Sequence, residues 1–122
     1  MKIEVSIGEI LDKISILEIK KNKIKDNEKL KNINNEFNAL VESYPTYIDQ
    51  LEYKDLLKIN SLLWDIEDRL RLKEKNKKFD EEFIKLARDV YFTNDKRSVI
   101  KKKINIRLGS DLIEEKSYED YS

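Results

Sequence analysis

Residues 56–70, LLKINSLLWDIEDRL, decide the fold of this chain. Their apolar side chains alternate three- and four-residue spacings, at Leu56, Ile59, Leu63, Ile66 and Leu70. This heptad-like period is typical of helices that pack lengthwise against one another. The pattern predicts a long helix from about residue 47 to Lys75, and a helix of that length needs partner helices to cover its apolar stripe.

The segment before this helix predicts a helical hairpin. Ser6-Ile7-Gly8-Glu9 has the pattern of a capping box, which begins a first helix. An apolar stripe follows at helical spacing and reaches about Lys25. Asp26-Asn27 then supplies a turn and a new cap for a second helix, whose stripe continues to Tyr44 and stops at Pro45.

The segment after residues 56–70 predicts a fourth helix, which Asp80 caps and Gly109 ends. Its apolar stripe comprises Phe83, Leu86, Ala87, Val90, Tyr91, Ile104 and Leu108. Continuity of this helix through Asn94 is left open by the pattern. We expect residues 1–6 to form an extended start and residues 110–122, which hold five acids and one base, to form a docked acidic tail.

The composition favours an all-α protein. Two glycines and one proline in 122 residues leave little of the turn chemistry that β-hairpins need. We therefore expect elongated antiparallel helical hairpins that form one small four-helix bundle over residues 1–122, with coiled-coil-like packing. Because narrow stripes on long helices often complete their core by symmetric association, we also expect a homodimer.

The same composition excludes several kinds of chemistry. No histidine or cysteine is present, which removes imidazole bases, thiolate nucleophiles and zinc sites built on these residues. The two glycines rule out a glycine-rich phosphate loop. Acidic pairs at i, i+3 such as Glu9 with Asp12 are no more frequent than chance in so charged a chain, so we predict no metal and no cofactor.

No stretch resembles a membrane span or leader, and we expect a cytoplasmic protein.

Polar residues interrupt the inward stripe of the fourth helix. Continued by threes and fours from Val90, the stripe passes through Asn94, then Arg97 or Ser98, and then Lys101. The expected opposite charges lie around Trp64 on the third helix, at Asp65, Glu67 and Asp68. Such a cluster predicts either a structural network or a ligand site, and both remain open at this stage. The candidate residues are Trp64, Asp65, Asp68, Arg88, Tyr91, Asn94, Arg97 and Lys101.

Residues 96–107 form a basic segment with six cations and no acid. Such a segment can contact nucleic-acid phosphates or an acidic partner. A net charge of zero for the whole chain makes nucleic acid the weaker alternative. We expect the acidic tail, from Asp111 to Asp120, to be the internal partner of this segment.

Ordered strings along nearly the whole chain resemble a family of short bacterial and phage proteins classed only as a domain of unknown function. The strings are Ser6–Glu9, Asp12-Lys13, Ile16–Lys20, Leu63–Asp68, Leu86–Arg88, Val90-Tyr91, Asn94–Arg97, Ile104-Asn105, Gly109-Ser110 and Glu114–Tyr118. The resemblance implies no catalytic residue, and it implies at most a link to surface-glycan assembly. Because its strings extend to Tyr118, it implies that the tail is ordered.

Two main functional hypotheses follow. The first is a non-enzymatic interaction or scaffold module, favoured because the chain lacks the imidazole and thiol groups of histidine and cysteine. The alternative is a small helical enzyme or binder of an anionic metabolite, which would use Arg, Lys and Glu between helices in the manner of chorismate mutases. A second alternative is weak nucleic-acid binding through residues 96–107.

Overall fold

The computed structural model describes residues 1–43 and 51–117. This part of the chain contains four helices and no strand, which confirms the all-α prediction. The helices are α1 (Ile7–Lys23), α2 (Asn27–Ser43), α3 (Leu51–Lys75) and α4 (Glu81–Arg107). The predictions for Tyr44, Pro45 and residues 47–50 lie outside the described residues.

The predicted caps are present at three helix starts. The Ser6 hydroxyl accepts from the backbone N–H of Glu9 at 3.1 Å, and Asp26 accepts from that of Lys29 at 2.9 Å. Asp80 accepts from the backbone N–H of Phe83 at 2.9 Å. Each bond satisfies an N–H group that has no partner within its own helix. The caps therefore fix where α1, α2 and α4 begin.

The first helix lies at the centre of the molecule. It packs against α2, α3 and α4, whereas α2 packs against α1 alone among the described helices. The buried core formed between α1, α3 and α4 comprises Leu11, Ile14, Tyr53, Leu56 and Ile104. Ion pairs join Glu52 to Arg107 at one end of α3 and Arg69 to Glu82 toward the other, so α3 and α4 run antiparallel.

The fourth helix is continuous through Asn94, which settles the point that the sequence left open. Its 27 residues end at Arg107, and Gly109 follows with a φ of 67°. Glycine adopts this left-handed backbone conformation without the steric cost that other residues incur. One residue of the predicted stripe is wrong: Tyr91 is exposed, because the core side of the helix passes through Leu86 and Thr93 instead.

Candidate functional site

A buried carboxylate on α1, that of Asp12, organises a polar network in the middle of the bundle. Only 1% of Asp12 is exposed. Its Oδ1 accepts from Asn60 Nδ2 at 2.8 Å and from Arg97 Nε at 2.9 Å. Its Oδ2 accepts from Arg97 Nη2 and lies 3.7 Å from Lys101 Nζ. One carboxylate thus joins side chains from three helices.

The hydroxyl of Ser15 completes the network on the α3 side. It donates to the backbone carbonyl of Asp12 at 2.7 Å and accepts from Asn60 Nδ2 at 2.8 Å. Ser15 and Asn60 are both buried, so these bonds remove the cost of leaving their polar groups without partners.

Lys101 extends the network toward solvent. Its ammonium group donates to Glu9 at 2.6 Å and to Glu114 at 3.4 Å, and only 12% of its side chain is exposed. Glu114 belongs to the segment after α4, so Lys101 ties this segment to the start of α1. We call the six residues that meet here the inner network: Glu9, Asp12, Ser15, Asn60, Arg97 and Lys101.

The start of α1 is fastened to the end of α4 beside the inner network. The backbone N–H of Gly8 donates to Asn105 Oδ1 at 2.6 Å, and that of Ile7 donates to Ser110 Oγ at 3.1 Å. A Cβ atom on Gly8 would lie 2.7 Å from the backbone oxygen of Lys101. The close approach of the two helices therefore requires glycine at this position.

The charges of the inner network compensate one another. The hydrogen bond to Asp12 raises the pKa of Arg97 above its ordinary value, although burial acts in the opposite direction. Within residues 1–43 and 51–117, every buried side-chain nitrogen or oxygen has a hydrogen-bond partner. The network therefore satisfies its own polar groups, as a structural connection between helices does.

A second set of polar contacts lies at one end of α3. Arg107 donates to the buried carboxylate of Glu52 at 2.6 Å, and the hydroxyl of Tyr53 donates to Glu18. Burial is the largest single influence on Glu52 and raises its pKa, but hydrogen bonds and nearby cations, Arg107 foremost, together outweigh burial and the net pKa is lowered. Glu52 is therefore charged at neutral pH. Burial, reinforced by the bond to Glu18, raises the pKa of Tyr53.

A cavity of about 260 Å³ adjoins the exposed side of the inner network. Three cationic side chains line it together with polar groups from α4; the lining residues are Asn94, Asp95, Arg97, Ser98, Lys101 and Lys116. A second cavity of about 250 Å³ shares Asp95, Ser98, Lys101 and Lys116 with the first and lies between α4 and residues 114–116. The two cavities form one cleft under the C-terminal segment.

The sequence-predicted cluster separates into two groups. Asn94, Arg97 and Lys101 lie together, and Arg97 Nη1 donates to Asn94 at 3.4 Å. Their counter-charges come from α1 and not, as predicted, from α3. Asp65 and Asp68 instead lie on the surface, where Asp65 is 3.6 Å from Lys23 and Asp68 is 3.9 Å from Arg71.

The remaining three predicted site residues lie away from the inner network. Trp64 is half-buried on α3. Arg88 is exposed, with its guanidinium 5.8 Å from the centre of the Phe92 ring. Tyr91 lies beside the same ring, with 5.2 Å between ring centres.

Asp12, Ser15 and Asn60 were missed by sequence reasoning. One available signal was the position of Asn60, four residues after Leu56 and three before Leu63 within the apolar stripe that decides the fold. Spacing of this kind places the amide on the inward side of the helix. Asp12, next to Leu11, was considered only as half of a metal-binding pair.

The basic segment of α4 is largely occupied by internal carboxylates. Arg97 pairs with Asp12, Lys101 with Glu9, and Lys102 with Glu115 at 2.9 Å. Arg107 pairs with Glu52. These pairs neutralise four of the six cations that the sequence placed in residues 96–107.

The opposite side of α4 carries an exposed apolar stripe, which we call the outer face. It consists of Ile84, Tyr91, Phe92, Val99 and Ile106. Seven- and eight-residue steps separate Ile84 from Tyr91, Val99 and Ile106, so their side chains point in one direction. Val99 is 68% exposed and Ile106 is 63% exposed.

The described residues form neither a metal-binding cluster nor a membrane-spanning helix. Residues 1–43 and 51–117 contain no group of three or more acidic side chains that could hold a metal ion. No helix in the same part of the chain has the length and apolar character that crossing a membrane requires.

Comparison with known proteins identifies a family for the whole chain. Residues 1–121 match the model of the Family of unknown function (DUF6165), and the chain belongs to this family. No curated protein and no solved structure matches the sequence. The family, like the resemblance noted in the sequence, assigns no activity to any residue.

Proposed function

We propose that this member of a family of unknown function is a non-enzymatic interaction module that acts as a homodimer through the outer face of α4. The observation that carries the proposal is the outer face itself. It presents five large, exposed apolar side chains on one side of one helix. Exposed apolar side chains aligned along one helix favour a contact with another protein.

The inner network supports the non-enzymatic part of the proposal. Its two cations, Arg97 and Lys101, already hold carboxylates of the same chain. A catalytic group needs a proton or a lone pair that it can exchange with a substrate. In the inner network these groups connect α1 to α3 and α4, which is a structural task.

The size and patterning of the chain support a second copy as the partner. A domain of 122 residues buries a smaller share of its surface than larger domains do, so self-association adds core that it lacks. The outer face has the heptad-like spacing of helices that pack lengthwise. A surface on a single chain that covers itself gives a closed, symmetric dimer.

The proposal is tested by the solution mass of the protein, measured by light scattering over a wide concentration range. We expect twice the chain mass of 14.6 kDa for the wild type. Val99→Glu places a charge in the outer face and should give the monomer mass with unchanged helical circular dichroism. Leu72→Glu is the matched control, because Leu72 is also exposed but lies on α3. A monomeric wild type at every concentration would reject the homodimer.

A second candidate function is the binding of a small anionic metabolite. The specific observation in its favour is the cavity of about 260 Å³, which Arg97, Lys101 and Lys116 line together. Guanidinium and ammonium groups are the side chains that recognise phosphate and carboxylate. Glu114 contacts Lys101 at 3.4 Å and is the internal group that such an anion would replace.

Thermal-shift titrations with inorganic phosphate and with succinate test this second candidate. Binding to the folded state raises the melting temperature with ligand concentration. Lys116→Gln should remove the shift, whereas Lys103→Gln, a change on the exposed surface of α4, should preserve it. No shift with either anion, or an equal shift in both variants, would reject the cavity as the site.

A further inference from the structure

The outer face of α4 carries charges as well as apolar side chains, and their order restricts how two copies can pair. Arg88, Asp95 and Lys102 are spaced seven residues apart, so they share the side of the helix that holds Ile84 and Val99. Arg88 and Lys102 are exposed, and Asp95 is half-buried at the rim of the cleft. The middle charge, that of Asp95, is negative, and the charges of Arg88 and Lys102 on either side of it are positive.

Two simple arrangements of paired α4 helices bring like charges together. In a parallel pair each residue faces its own copy, so Arg88 opposes the partner's Arg88 and Asp95 opposes the partner's Asp95. In an antiparallel pair centred on Asp95, Asp95 again opposes the partner's Asp95. Like charges held face to face disfavour both arrangements.

A third arrangement brings opposite charges together throughout. When the helices are antiparallel and the two-fold axis passes between Tyr91 and Phe92, Arg88 faces the partner's Asp95 on both sides of the axis. Ile84 then packs against the partner's Val99, and the aromatic rings fill the centre. The overlap from Glu81 to Lys102 is about 32 Å long at 1.5 Å per residue.

We infer that a second copy of this chain docks antiparallel on the outer face of α4, with the two-fold axis between Tyr91 and Phe92 and with two symmetric Arg88–Asp95 ion pairs. This inference rests on the proposed homodimer and adds its geometry. Ile106 lies on the outer face but beyond the overlap, since the partner's α4 begins at its Glu81. Val99 and Ile106 are almost equally exposed, at 68% and 63%, but the inferred register places only Val99 in the contact with the second copy.

Charge exchange tests the inferred ion pairs. Arg88→Asp places two acids opposite each other at both symmetric contacts, and Asp95→Arg does the same with two bases. Each single variant should raise the dimer dissociation constant about tenfold or more, since two favourable surface pairs become two unfavourable ones. The double variant should dimerise as the wild type does. An equimolar mixture of the two single variants should form heterodimers, because all four facing charges are then opposite.

Apolar substitutions test the register with the same readout. Val99→Glu should abolish the dimer, whereas Ile106→Glu should leave its dissociation constant within about twofold of the wild type, since exposed sites outside an interface contribute little. Light scattering and native mass spectrometry measure both series, and circular dichroism verifies the fold of each variant. If the wild type is dimeric but the double variant does not dimerise, the inferred register is wrong and the homodimer is retained. The same conclusion follows if Ile106→Glu dissociates the dimer. A monomeric wild type overturns both.

Discussion

Several positions on the two sides of α4 depart from the usual arrangement of an amphipathic helix. Toward the molecule it presents Arg97, Lys101 and Asn105, which are held by α1, and toward solvent it presents Val99 and Ile106. An amphipathic surface helix ordinarily places apolar residues inward and charges outward. The inward charges are acceptable because each has a partner, and the proposed second copy accounts for the exposure of Val99.

The inner and outer sides of α4 therefore have different expected roles, in the stability of the single chain and in association. Contacts on the inner side connect elements of a single chain, so changes there should alter the free energy of unfolding. Contacts on the outer side face solvent in the single chain, so changes there should alter association and leave the folded chain intact.

The largest expected effect comes from removing the carboxylate at the centre of the inner network. Asp12→Ala leaves Arg97 without its carboxylate and deprives Asn60 of one acceptor, and losing one member of a buried ion pair costs about 3–5 kcal/mol. Chemical denaturation followed by circular dichroism measures this loss. Asp65→Ala is the matched control, because that carboxylate is exposed and its pair with Lys23 contributes at most about 1 kcal/mol. Equal losses in both variants would contradict the structural role of the inner network.

A smaller effect is expected where α1 and α4 approach most closely. Gly8→Ala places a methyl group 2.7 Å from the backbone oxygen of Lys101, and such overpacking costs about 1–3 kcal/mol. Gly109→Ala provides the comparison, since no atom lies within 4 Å of its added Cβ and only the left-handed backbone is strained. That strain costs about 1–2 kcal/mol. Denaturant midpoints should place Gly8→Ala below Gly109→Ala, and the reverse order would argue against the close helix contact.

Acid should weaken the contacts at the C-terminal end of α4. The pKa of Glu52 is lowered because its hydrogen bonds and the nearby cations Arg107 and Lys103 together outweigh burial, and that of Glu114 is lowered by Lys116 and Lys101. A lowered pKa contributes stability that is fully present above the ordinary value of 4.5 and is lost as the pH falls through the folded-state pKa. The melting temperature should therefore fall below pH 4.5.

Glu52→Gln provides the control for this pH dependence. It should lower the melting temperature at neutral pH, where Glu52 is charged, and make the acid decrease shallower. An unchanged acid profile would show that the bond between Glu52 and Arg107 contributes nothing to stability.

The smallest expected effect lies on the outer face. Ile106→Glu changes a side chain that is 63% exposed, so the free energy of unfolding of the single chain should change by no more than about 0.5 kcal/mol. Denaturation at concentrations below the dimer dissociation constant measures this value. A loss comparable to that of Gly8→Ala would mean that the outer face belongs to the core of the single chain.

The helices could be predicted from the sequence because their signals are local. The stripe of residues 56–70 and the caps at Ser6 and Asp80 depend only on spacing and on neighbouring N–H groups. The inward position of Arg97 and Lys101 was predictable for the same reason, since both continue the stripe of α4 by threes and fours.

The partner of Arg97 could not be predicted, because it depends on how helices cross. Asp12 and Asp65 are both acids on helices that pack near α4, and local spacing does not distinguish them. Tyr91 was placed wrongly because a tyrosine suits a core position and a surface contact equally well. Docking between copies of the chain leaves no local signal except the unexplained apolar residues themselves.

The most direct test of the central claim uses the absence of cysteine from the chain. A single cysteine at position 91, introduced by Tyr91→Cys, lies beside the inferred two-fold axis and next to its copy. Oxidation under mild conditions, followed by non-reducing electrophoresis, should convert Tyr91→Cys rapidly to a disulfide-linked dimer. Ile106→Cys, exposed but distant from the axis, should remain largely monomeric. Equal and slow conversion of both variants would contradict docking of a second copy on the outer face of α4.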